Sequence, residues 1–166
     1  MPAPDIQTLY DFETQIEGAF ETLLAAQFLA KSITCSTSVS RDPSIDATPR
    51  VEIILSLAAS LNQRTTIGQA TPKQVPNAFA GNLALSVVTT RGTNRSSHGP
   101  IRGVVRYVMS GANGILSDVV LPYLQILDLV PAASAPETYA DKDQDITVLN
   151  YAIAFAIKDS AWPSTP

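Results

Sequence analysis

Charge is scarce in this chain. Asp, Glu, Lys and Arg together supply 16% of its 166 residues, against roughly 25% in an ordinary soluble domain. Hydrophobic residues make up 45%, so much of the surface is expected to face other protein. Cysteine is nearly absent too. Cys35 stands alone, which excludes an internal disulfide and a cysteine-based zinc site, and it reads as a free core or surface thiol rather than a nucleophile. There is a single histidine, His98, so no pair of histidines can hold a metal. A Ser–His–acid triad would have to use it, with Ser96 and Ser97 too near in sequence to be informative, and no G-x-S-x-G elbow occurs. Phosphate-loop and dinucleotide fingerprints are missing. Asp141, Asp143 and Asp145 have the spacing of the first three ligands of a calcium loop, but that loop needs glycine sixth and glutamate twelfth. Ile146 and Ala152 stand there. The expectation is a protein that is not an enzyme and uses no cofactor or metal. No apolar run approaches the roughly 18 residues of a membrane span. The segment MPAPDIQTLYDF has neither the basic nor the apolar region of a signal peptide. No membrane partner is expected, and the compartment of synthesis is expected to be the cytoplasm.

The few charges are segregated. Residues 1–52 hold eight acids and three bases, residues 53–117 hold six bases and no acid, and residues 118–166 hold seven acids and two bases. The blocks carry −5, +6 and −5, which give the net charge of −4. Such a chain can neutralise its blocks internally. It can also place opposite charge on opposite flanks, which suits head-to-tail association of copies. Contact with nucleic acid is a third outlet for the basic block. Only Tyr107 is aromatic near the arginines, so a stacking platform for single strands is not expected.

An amphipathic helix is expected over residues 5–31, because Leu9, Phe12, Ile16, Ala19, Phe20, Leu23 and Leu24 recur at three- and four-residue spacing. Asp11, Glu13, Glu17 and Glu21 lie mostly off that face, and Gly18 suggests the close approach of a neighbour. Residues 32–49 read as a loop or weak extended segment. Alternation marks a strand over 51–58, a second over 83–90, a third over 123–130 and a fourth over 146–158. In the last, Leu149, Tyr151, Ile153, Phe155 and Ile157 line a large face, while Ala152, Ala154 and Ala156 line a small one. Such a strand is buried on both sides or lies against another chain. Long connections are expected over 62–81 and 131–145. Between the strand pairs comes Arg91–Met109, where the positive charge concentrates. Pro100 suits a first helical turn, with Ser97 or Gly99 as cap and Gly111 as stop. Ile101, Val104, Val105 and Val108 make one apolar face, and Arg102 and Arg106 share another. Arg91, Arg95, Arg102 and Arg106 are the candidate contacts to a neighbouring subunit or to DNA in a lumen. The element order α-β-β-α-β-β predicts a single α+β domain, 1–166, with an antiparallel sheet of about four strands and two main helices packed on it.

Several of these stretches bear a resemblance. An acidic N-terminal helix, the strand Pro49-Arg50-Val51-Glu52-Ile53 and a strand entering the helix marked by Arg91, His98, Ile101, Val105 and Arg106 recur in one group of proteins. So does a closing apolar strand from Tyr151 through Phe155 and Ile157 to Trp162 and Pro163. The chain resembles the tail terminator and neck (head–tail joining) proteins of tailed bacteriophages. That resemblance implies a structural virion protein, made in the host cytoplasm. It would form a homo-oligomeric ring, commonly of six subunits, at the head-proximal end of the tail tube. The implied partners are copies of itself, the tail tube protein, a neck or connector protein, and DNA passing through the lumen without sequence recognition. Another virion component, such as a head-completion adaptor or tail tube subunit, and a non-viral cytosolic binding module are the alternatives.

Overall fold

The computed structural model describes residues 5–39, 47–58, 78–110, 119–132, 137–141 and 143–161. The chain opens with helix α1, Ile6–Tyr10, and helix α2, Phe12–Ala30. The single helix expected over 5–31 is thus divided. Asp11, at φ −81° and ψ 71°, ends α1 and caps α2, its carboxylate accepting from the Thr14 N–H at 3.2 Å. Asp5 caps α1 through the Thr8 N–H at 2.6 Å. Gln15 Nε2 donates to the Thr8 carbonyl at 2.8 Å, satisfying an acceptor that the break leaves free.

Strands β1 (Ser36–Val39), β2 (Arg50–Leu57) and β3 (Ala78–Thr90) follow, then a 3₁₀ turn at Arg95–Ser97 and helix α3, His98–Met109. Strands β4 (Leu124–Pro131), β5 (Glu137–Asp141) and β6 (Gln144–Ile157) complete the described elements. All six strands share one sheet in the order β1-β2-β3-β6-β4, with β5 also on β6. The α+β class and two main helices stand as expected. The sheet is larger than expected and mixed, because β1 pairs with β2 in parallel while every other pair is antiparallel. Two short polar segments supply the extra strands. Their pairing rests on main-chain hydrogen bonds, which leave no periodic apolar signal.

Strand β6 is the spine of the sheet. Gln144–Ala156 pairs with β3, and its other side takes β5 against Gln144–Val148 and β4 against Tyr151–Ile157. The connection expected over 62–81 ends earlier than that, since Ala78–Gly81 already belong to β3, and residues 62–77 lie outside the described residues. Likewise Pro131, β5 and the start of β6 occupy much of 131–145. Gly81 is a strand residue with a close neighbour: a Cβ there would stand 2.8 Å from the Ser56 carbonyl oxygen. Gly18 has open space around it, so no close approach requires it.

One face of the sheet carries the helices. Val51, Ile53, Leu55, Leu83, Leu85, Leu149, Ile153 and Phe155 meet Phe12, Ile16, Phe20, Leu24 and Phe28 of α2, with Ile101, Val105 and Val108 of α3, in one core. Phe12, Phe79 and Phe155 stack and tilt at centroid separations of 4.5–5.7 Å. The other face is uneven. Ala156 is buried, Ala154 half-buried and Ala152 exposed, so the small face of β6 is only partly covered within one subunit.

Candidate functional site

The four candidate arginines fall into two pairs. Arg91 and Arg95 lie in the turn that leaves β3, and both reach Asp145 at the start of β6. Arg91 Nε stands 2.9 Å from Asp145 Oδ1, and Arg95 Nε 3.3 Å from Oδ2. One carboxylate of the acidic C-terminal block therefore neutralises two cations of the basic block within the same chain. The Arg91 hydrogen bond first, and the charges of Arg91 and Arg95 after it, hold the Asp145 carboxyl below its ordinary value against the opposing pull of desolvation. The turn is pinned elsewhere too. The Thr90 N–H donates to Asn94 Oδ1 at 2.6 Å, the Arg91 N–H donates to the Asp143 carbonyl at 2.8 Å, and the Thr48 and Thr90 hydroxyls meet at 2.8 Å.

His98 begins α3 and anchors it to the sheet. Its Nδ1 lies 2.8 Å from the Thr89 hydroxyl and its Nε2 2.8 Å from the Thr147 hydroxyl, so each ring nitrogen has a partner on a different strand. Thr89 and Thr147 are fully buried. Burial, then the neighbouring Arg102 charge, pushes the imidazole below its ordinary value, with Asp145 pulling weakly the other way. Ser97 occupies the cap position without a side-chain cap bond, and Gly99 lies inside the helix. The helix stops at Met109 with Ser110 as C-cap; Gly111 lies outside the described residues.

Arg102 and Arg106 are the second pair. They lie on one flank of α3, half-buried and exposed respectively. Tyr107 lies on the opposite flank, where the Lys31 ammonium from the end of α2 sits 5.0 Å from its ring centroid. The arginine flank therefore looks away from α2, over β6. Burial pushes the Tyr151 phenol up, and the Arg106 charge nearby opposes that shift. The structure thus separates a pair of arginines satisfied at home from a pair that faces outward.

Sequence reasoning missed Glu17. It is 3% exposed, and its Oε1 accepts the Leu55 N–H at 2.8 Å. Strand β1 covers the edge of β2 only as far as Ile53. Beyond that pairing, the Leu55 N–H finds its acceptor in the Glu17 carboxylate. The helical spacing placed Glu17 mostly off the apolar face; it is buried instead, and nothing local to it in the sequence marked its main-chain partner on β2.

Two further features bear on chemistry. Cys35 is half-buried, and burial pushes its thiol up to about 12, far from the thiolate a nucleophile needs. A groove of about 470 Å³ runs along the outer side of β4, lined by Leu121, Leu124, Ile126, Leu127, Leu129 and Lys158. Among the described residues, no group of three His, Cys, Asp or Glu side chains is arranged to hold a metal ion, and no helix is long and apolar enough to cross a membrane.

No protein-family model matches the sequence, and no curated protein matches it. Among solved structures, a chain of one titled "Virion of native gene transfer agent (GTA) particle" is similar in fold. The TM-score is 0.59 at 13% sequence identity, and the match covers 89% of this chain and 98% of that one. This chain therefore shares, over nearly its whole length, the fold of a chain from a gene transfer agent virion.

Proposed function

We propose that this chain is a structural virion protein that forms a ring at the head-proximal end of a phage tail tube, terminating the tail and joining it to the neck. The observation that carries the proposal is the end-to-end fold likeness to a virion chain, 98% of which is covered. The role is structural rather than enzymatic. His98 has both nitrogens engaged by strand hydroxyls, and the Cys35 thiol stays protonated. The ring, commonly of six copies, meets the tail tube protein on one side and a neck protein on the other, and DNA passes through it without sequence recognition.

The test is a mass measurement of purified protein, alone and with tail tubes. A closed ring in either sample, bound at one end of the tubes, is expected. A monomer under both conditions overturns the proposal, and binding along the whole tube favours a tube subunit instead. Cys35→Ala should leave this behaviour unchanged.

A further inference from the structure

The two edges of the sheet match each other in height and direction. Ser36 of β1 faces Arg50, which faces Val88, which faces Ile146, which faces Tyr139 of β5. Strands β1 and β5 therefore lie at one level on opposite edges. Counting directions across the sheet, β1 and β2 run one way, β3 the other, β6 as β2, and β5 and β4 as β3. A copy placed beside the first in the same orientation brings its β1 alongside β5 as an antiparallel pair, the geometry of every other junction in the sheet but one. β1 carries no charge and no proline in its four residues, Ser36–Val39, so these four present nothing that repels a strand.

The helical layer matches as well. Glu17 is bonded to Leu55, on the side of α2 that faces the β1 edge. Glu21 lies one turn further along that flank and is half-buried. Arg102 and Arg106 occupy the flank of α3 that faces the opposite edge. Their heights agree, because Leu55 faces Leu83, which faces Tyr151, the residue near Arg106. Side-by-side copies thus turn a basic flank toward an acidic one at the same level of the sheet.

We infer that copies of this chain join laterally and head to tail, β1 of one copy beside the β4–β5 edge of the next, with Arg102 and Arg106 of α3 facing Glu21 on α2 of its neighbour. This rests on the ring reading and names the surfaces that close the ring. The interface is heterologous, so each copy uses both flanks and the chain of contacts closes only by rotation.

The test uses two variants of the full chain, each shown folded by circular dichroism. Arg102→Glu with Arg106→Glu makes both flanks acidic; Glu21→Arg makes both flanks basic. Each variant alone should lose assembly at low salt, sedimenting as a monomer where wild type sediments as a ring. An equimolar mixture should regain it, because acidic and basic flanks then alternate around the ring. If the double variant assembles alone as well as wild type, or the folded mixture stays monomeric, the assignment of these flanks is overturned while the wild-type ring stands. A wild-type chain that remains monomeric alone and with tail tubes instead overturns the ring reading, and the lateral interface with it.

Discussion

Glu17 ties helix α2 to strand β2 with one side chain. Its carboxylate satisfies a main-chain donor that would otherwise be buried without a partner, beneath a helix and beyond the end of β1. Glu17→Ala should cost about 1–3 kcal/mol, the penalty for orphaning a buried donor. Glu17→Gln keeps an acceptor at the same reach and should cost less, as urea denaturation of the three proteins would show. Equal losses would mean that the charge matters and not the acceptor. His98 sets a pH dependence of opposite origin to that of the carboxylates. Its folded pKa lies below the ordinary 6.5, so the unfolded chain binds the proton more readily. Stability from this group is complete above pH 6.5 and declines as pH falls through that value toward the folded pKa. Asp145, also lowered, contributes above its ordinary value of 3.8 and loses that contribution only in stronger acid. Denaturation midpoints at pH 8 and 5.5 should fall toward the acid side in wild type, and His98→Gln should flatten that fall.

At the scale of elements, the break between α1 and α2 depends on Asp11, which closes one helix and caps the other. Asp11→Ala should cost about 0.5–2 kcal/mol, measurable by thermal unfolding, with the loss of far-ultraviolet helix signal confined to the first turns. Gly81→Ala tests a packing constraint instead. The added methyl would meet the Ser56 carbonyl oxygen at 2.8 Å, so β2 and β3 would have to separate locally, and the variant should unfold at lower denaturant than wild type. Helix α3 and strand β6 were legible in the sequence because their periodicity is long and uninterrupted. Val104, Val105 and Val108 announce the buried face of the helix, and Leu149 to Ile157 announce that of the strand. Strands β1 and β5 were not legible. β1 is four residues of serine, threonine and valine, and β5 is a short segment from Glu137 to Asp141. Both acquire their conformation from neighbours distant in sequence, which local propensity does not register. The helix break was hidden for a related reason: Leu9 and Phe12 remain in step with the apolar stripe, so the periodicity runs on across Asp11.

For the molecule as a whole, the segregation of charge was visible in the sequence, but its use was not. Sequence grouped Arg91 and Arg95 with Arg102 and Arg106; the fold divides them, because the register of β3 against β6 carries Asp145 to the first pair alone. Assembly of wild type should therefore weaken with salt, as the outward pair is screened over a Debye length of roughly 8–10 Å, while the Asp145 cluster holds the turn in place. Sedimentation across a salt series would check this, and a ring indifferent to salt would leave the two outward arginines without the role given them. The position of β6 also governs when the protein can exist at all. Of β3 and β6, no partners are nearer in sequence than Thr90 and Gln144, and β4 and β5 have no place in the sheet until β6 arrives. Such non-local pairing is slow to form. During translation the central strand is the last of the six to leave the ribosome. Until then a nascent chain has no completed far edge, so lateral joining of the kind proposed above would have to wait, for copies emerging side by side on one messenger, until each has finished folding.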